Sequence, residues 1–189
     1  MEAFLVSAGS VAIAEMGDRT QLLALLLAAR FRRPWPIVAG ILVATLANHA
    51  VAGIVGVWFG RLLTPALLAG VVGAGMLAMA LWTLIPDKYD ENDGLARRER
   101  GVFVSTLICF FLAEIGDKTQ IATVALAAAY SNLLAVVAGT TAGMMIANVP
   151  VVFLGKAFAG RLPMKAIHYG AAVIFAVLGL VFLMRALAG

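Results

Sequence analysis

Glu15, Asp18, Glu114 and Asp117 are carboxylates set in the middle of long apolar runs, and they come as two copies of one phrase. Glu15-Met16-Gly17-Asp18-Arg19-Thr20-Gln21 lies inside the run from Phe4 to Ala29. Glu114-Ile115-Gly116-Asp117-Lys118-Thr119-Gln120 lies inside the run from Val102 to Ala129. A carboxylate near a bilayer centre costs at least ~2.5 kcal/mol on insertion scales, so an ionisable residue kept there points to function. On a straight helix Asp18 lies about 60° around from Glu15 and Arg19 about 40° the other way, while Thr20 falls roughly 140° off. The acids of each copy can therefore converge on one point. Gly17 and Gly116 stand between acid and acid, where a residue without a β-carbon permits unwinding that could free carbonyls and bring Thr20 and Thr119 into the same cavity.

If the two copies face each other, Glu15, Asp18, Glu114 and Asp117 form an oxygen-rich cage, with Gln21, Gln120, Asn48 and Asn148 as nearby neutral oxygens. Hard divalent cations take such ligands, about six to eight oxygens for Ca²⁺ and octahedral oxygen sites for Mn²⁺ or Mg²⁺. Four carboxylates against Arg19 and Lys118 leave a net charge of −2, which one divalent cation or two protons neutralise. That is the electrostatics of an exchanger. The structural alternative is a pair of i, i+4 ion pairs, Glu15 with Arg19 and Glu114 with Lys118, holding helices in register. Even then Asp18 and Asp117 retain the same −2.

The elements that must carry these residues are set by the solvent. With 63% apolar and 13% charged residues and a mean hydropathy of +1.01, the chain reads as an all-α membrane protein. Apolar stretches at about 4–29, 36–59, 65–85, 102–129, 132–155 and 165–187 each meet the roughly 20 residues a span needs. Six transmembrane helices use nearly the whole chain and leave no room for a soluble catalytic domain. Glu2 and the charged centre of the first run argue against a signal peptide, and a single Cys109 excludes an intrachain disulfide or a Cys-rich metal site.

The halves repeat. At an offset of 99 the motif maps onto itself and Val38-Ala39-Gly40 onto Val137-Ala138-Gly139. After one inserted residue, Ala47-Asn48 maps onto Ala147-Asn148 and Gly60-Arg61-Leu62 onto Gly160-Arg161-Leu162. The expected domains are a first three-helix repeat at 1–86, a charged cytoplasmic linker at 87–101 and a second three-helix repeat at 102–189. Three is odd, so the second copy enters the membrane from the opposite side, an inverted repeat whose site is expected near the midplane at the repeat interface. Alternating helices put Arg30, Arg32, Arg33, Lys88, Arg97, Arg98, Arg100, Lys156, Arg161 and Lys165 on one side, and only Arg61 and Arg185 on the other. The first side is then cytoplasmic and both termini lie across the membrane. The net charge of +4 reflects this topology, not nucleic-acid binding.

Other residues invite smaller roles. His49 could relay protons or add a nitrogen ligand, though a hydrogen-bonded packing role is the plainer expectation, as is a structural role for His168. Gly56 to Gly60 and Gly139 to Gly143 are small-xxx-small patterns that suit helix packing within the chain, or a seam with a second copy in a homo-oligomer. Pro150 would free a backbone carbonyl and kink its helix. Met144 and Met145 read as core, since thioethers suit softer metals. The solvated loop Asp87 to Asp93 reads as a connector. An intramembrane aspartyl protease would also carry two membrane Asp residues, but glutamates stand two before Gly17 and Gly116, against the protease phrase. A cation channel uses the same acids and is set aside only by the inverted repeat. A small-molecule exporter lacks the aromatic cage it would need.

The doubled E-x-G-D-[KR]-T-Q phrase in six helices resembles uncharacterised protein family 0016, the transmembrane protein 165-like membrane proteins, over nearly the full length. Arg19, where Lys is a common alternative, is within that family's pattern. The resemblance implies a manganese and calcium transporter exchanging cations for protons, with the motif acids as ligands. It also implies export from the cytoplasm with Mn²⁺ first and Ca²⁺ second, while the brevity of the chain and the lack of a targeting extension favour a bacterial plasma membrane. The ions are cargo and no cofactor is expected. A divalent cation channel or a Na⁺-coupled carrier remains the alternative.

Overall fold

The computed structural model describes residues 1–84, 101–154 and 164–188, with side chains given outside 164–168 and 171. Most of the expected linker 87–101, including Asp87 to Asp93 and Arg97 to Arg100, lies outside the described residues, as do Lys156, Gly160, Arg161 and the side chains of Lys165 and His168.

Lipid offers the backbone no hydrogen-bond partners, so an apolar chain must satisfy its own amides. The described residues accordingly form eight helices and no strand. They are α1 (Glu2–Glu15), α2 (Arg19–Phe31), α3 (Pro34–Leu62), α4 (Pro65–Thr83), α5 (Val102–Glu114), α6 (Lys118–Ala129), α7 (Leu133–Leu154) and α8 (Met164–Ala188). Prolines open α3 and α4 in the first turn, where a missing N–H costs nothing. The Thr64 hydroxyl caps α4 by accepting from Leu67 N at 3.4 Å.

Two expected spans are corrected. The runs 4–29 and 102–129 are each two half-helices, broken at Met16-Gly17-Asp18 and Ile115-Gly116-Asp117. Gly17 has φ 81° and Gly116 has φ 73°, the left-handed region that interrupts an α-helical ladder and that only glycine enters without strain. Three-residue turns bridge the gap, with Asp18 N donating to Glu15 O at 3.1 Å and Asp117 N to Glu114 O at 3.2 Å. At 12 to 14 residues none of α1, α2, α5 and α6 can cross a bilayer alone. Among the described residues α3, α4 and α7 are long and apolar enough to do so. Pro150 sits inside α7, which continues through it as one helix to Leu154.

The long helices embrace the broken pairs crosswise. α3 packs against α5 and α6, α7 against α1 and α2, and α4 runs along α8. The small-xxx-small patterns are used inside the chain: a β-carbon on Gly56 would strike the Val124 carbonyl of α6, and one on Gly139 would come within 2.5 Å of Phe4 O on α1. One apolar cluster gathers Met76, Met79, Leu126, Phe175 and Phe182 from α4, α6 and α8. A second gathers Leu23, Leu27, Ile37, Ile41 and Phe110 from α2, α3 and α5. Leu42, Val51, Ile54, Trp58, Leu134 and Val173 point outward, an apolar exterior suited to lipid. At the edge of this surface the Tyr130 hydroxyl meets Glu2 Oε1 at 3.5 Å, and burial, then Glu2, push the phenol above its ordinary value.

Candidate metal centre

The breaks put the ends of four half-helices at one place. α1 and α5 present C-terminal carbonyls, which favour cations, and α2 and α6 start directly after Asp18 and Asp117, their N-cap residues. Glu15, Glu114 and Asp117 each offer a carboxylate oxygen within 4.8 Å of the others, and all three are buried. Asp18 is fully buried beside them.

Each basic residue pairs with an acid of the other copy. Arg19 Nη2 reaches Asp117 Oδ1 at 3.2 Å and donates to Ala113 O at 2.7 Å, while the Lys118 ammonium holds Asp18. Each base thus crosses to the other motif. The left-handed glycine is the cause, because it swings α2 and α6 off the axes of α1 and α5 and destroys the i, i+4 geometry that Glu15–Arg19 and Glu114–Lys118 would need.

The same turn brings the threonines in. Thr20 Oγ1 donates to Glu15 Oε2 at 2.6 Å, and the Thr119 hydroxyl lies 3.4 Å from Glu114 Oε2 and 3.3 Å from Asp117 Oδ2. The glutamines clamp the breaks: Gln21 Oε1 accepts from Gly17 N at 2.7 Å and Gln120 Oε1 from Gly116 N at 2.8 Å. Gln21 also donates to Ala147 O on α7 at 3.0 Å, tying the first break to the helix that carries Pro150. Asn48 donates to Phe111 O at 3.1 Å, tying α3 to α5. Asn148 donates within α7 to Met144 O at 3.1 Å and lies 3.0 Å from Met144 Sδ.

Glu15 Oε1, Glu114 Oε1 and Asn148 Oδ1 are buried acceptors without a donor. Buried oxygens left without donors are costly, and the two on the converging glutamates suit a cation. His49 is fully buried on α3 and neither ring nitrogen has a hydrogen-bond partner, unlike the hydrogen-bonded packing role expected of it. Cavities of about 510 and 520 Å³ lie away from the acids, one lined by Pro65, Val72, Ala129, Phe182 and Arg185 and the other by Leu25, Arg32, Val152 and Phe153. The acids themselves are buried.

A family profile described as divalent cation/proton antiporter GDT1 matches residues 3–91 and 102–189. The chain belongs to the GDT1 family. Among similar proteins, one named "Putative manganese exporter" from Vibrio cholerae serotype O1 is 49% identical over 181 residues, spanning 95% of this chain and 90% of that one. A GDT1-like protein of Synechocystis is 28% identical over 93% of both chains, and GDT1-like protein 4 of Oryza sativa subsp. indica is 26% identical over 85% of this chain and 66% of its own. No solved structure matches. The resemblance drawn from the doubled motif is borne out at the level of the family. As a GDT1-family protein with an apolar helical body, this is an integral membrane protein of a transporter class, not an enzyme, and its family carries divalent cations and protons.

The crossed pairing was not anticipated, nor were the carbonyls of Ala113 and Ala147 as acceptors from Arg19 and Gln21. One signal was available. Successive helical residues diverge by about 100°, so a base directly after each Asp cannot face that Asp and must find an acid elsewhere.

Proposed function

We propose that this protein exports a divalent cation from the cytoplasm in exchange for protons, with Mn²⁺ as the first substrate and Ca²⁺ as the second. The observation that carries the reading is the buried convergence of Glu15, Glu114 and Asp117. Three carboxylates, Asn148 Oδ1 and the neighbouring Asp18 supply the hard oxygens that such ions require. The name of the Vibrio cholerae relative favours manganese and the outward direction. Thr20, Thr119, Gln21, Gln120 and Asn48 hold the ligands and the breaks in place, with Thr20 and Thr119 directly on motif carboxylates.

The same proposal includes the membrane arrangement. α1 with α2 and α5 with α6 serve as two broken spans, which with α3, α4, α7 and α8 make six spans in two inverted repeats, both termini non-cytoplasmic. Crosswise packing of α3 and α7 on the opposite broken pairs supports it, because inverted repeats place their site where the repeats meet. A site of net charge −2 in low dielectric is costly to leave empty and ionised, so protons replace the metal on the return step.

In proteoliposomes an imposed proton gradient should drive Mn²⁺ against its own gradient, and a Mn²⁺ gradient alone should move protons the opposite way. Mn²⁺ flux unaffected by a proton gradient at fixed membrane potential would replace this reading with a channel or a Na⁺-coupled carrier using the same acids.

A further inference from the structure

We propose that Lys118 is a tethered stand-in for the transported cation: in the unloaded site its ammonium holds Asp18, and an arriving divalent ion takes Asp18 from it. The inference rests on the cation-carrier reading above and assigns a positioning role that neither the motif nor the family description gives to this residue.

Three motif acids converge while the fourth is engaged by Lys118. Asp18 is the repeat equivalent of Asp117, which does belong to the converging set, so the two should be able to serve alike. Lys118 is 1% exposed and Asp18 0%, which makes this a fully desolvated pair at the edge of an otherwise under-compensated acid cluster. Breaking a buried ion pair is strongly disfavoured unless another cation takes the place of the one removed.

The chemistry of the two bases separates their roles. One nitrogen of the planar Arg19 guanidinium, Nη2, bonds Asp117 and Ala113 O together, two acceptors that fix where it sits. Lysine is a point charge on a flexible stem and can retreat without breaking a fork. It also has somewhere to go. The repeat offset of 99 makes Ala14 O the counterpart of Ala113 O, and Ala14 lies at the end of α1, where terminal carbonyls favour a cation. Movement of the ammonium off Asp18 toward this end of α1 would free Asp18 to join the metal. Competition between ammonium and metal then weakens binding and speeds release, as a carrier needs.

The test is Mn²⁺ titration of the purified full-length protein, with efflux measured in parallel. Lys118→Gln should bind Mn²⁺ at least about tenfold more tightly, by removing the competing charge, and should show slower net efflux. Arg19→Gln should tighten binding less, because Arg19 is 37% exposed and already screened. In an Asp18→Asn background the gain from Lys118→Gln should vanish, which long-range electrostatics alone would not produce. Lys118→Arg keeps the pair and the fold, and should bind Mn²⁺ more weakly than wild type because a fork releases Asp18 less readily. Unchanged or weaker binding in Lys118→Gln, a gain that persists without Asp18, or tighter binding in Lys118→Arg overturns the inference alone. A wild-type protein that neither binds nor moves Mn²⁺ overturns the carrier reading with it.

Discussion

The two copies of the motif build the same broken helix and do not end in the same state. In the first, Thr20 donates to one carboxylate, Glu15, at 2.6 Å. In the second, the Thr119 hydroxyl is spread over Glu114 and Asp117 at 3.4 and 3.3 Å. Arg19 is 37% exposed on Asp117, whereas Lys118 is sealed on Asp18 at 1%. Gln21 and Asn48 both reach helices of the other half, while Asn148 turns back on its own helix. Near-identical local sequence therefore sits in two environments within one site. A carrier read from two membrane faces needs such inequality, since a site symmetric about the midplane would be equally accessible or closed to both sides at once.

The sharpest way to break the comparison is to remove an acid from each copy. Asp117→Asn and Asp18→Asn should both reduce Mn²⁺ efflux by about a hundredfold or more, since each loses a ligand charge without added bulk. Mn²⁺ affinity should fall further for Asp117→Asn, whose carboxylate belongs to the converging three. A larger affinity loss in Asp18→Asn would move the ion to the other side of the cluster. Retention of wild-type efflux by both variants would remove the cage altogether.

The hydroxyls give a smaller contrast. Thr20→Val should lower stability by about 2 kcal/mol, the scale of a short hydrogen bond to a charged group, and Thr119→Val by less than about 1 kcal/mol because its contacts are long. Thermal unfolding in detergent measures both, and equal losses would mean that the distances do not reflect strength.

Backbone conformation comes next. Gly116→Ala should cost about 1 kcal/mol, because a β-carbon there meets nothing within 4 Å and only the left-handed φ of 73° opposes it. An unchanged melting temperature would indicate that the break survives without glycine.

The smallest change makes the second copy resemble the first, where the counterpart of Tyr130 is Phe31. Tyr130→Phe should alter stability by less than about 0.5 kcal/mol, since the 3.5 Å bond to Glu2 is exposed. The phenol is raised above 10.0, so the folded protein holds its proton more tightly than the unfolded chain does. Its influence on stability is therefore constant through neutral pH and declines only as pH rises beyond that value. A wild-type transition near pH 7 that Tyr130→Phe abolished would contradict this.

Much of the site was legible in advance because its signal is local. Carboxylates in apolar runs stand out by residue type, and Gly17 and Gly116 announced where the backbone could open. The breaks themselves were less visible. A hydropathy reading averages over about 19 residues and passes over a three-residue turn, so 4–29 and 102–129 read as single helices. Neutral partners were harder again, since Gln21 and Gln120 spend their oxygens on the glycine amides of the turn, a bond that exists only after the helix has broken.

By itself the sequence determined the solvent, the doubled acid phrase, its offset and the charge balance, because these depend on residue types and on positions a few residues apart. Which base holds which acid was decided only in three dimensions. Arg19 meets Asp117 across 98 positions and Gln21 meets Ala147 across 126. No local propensity specifies such partners. They follow from how α3 and α7 dock on the opposite broken helices and from two left-handed glycines that turn each motif away from itself and toward its copy.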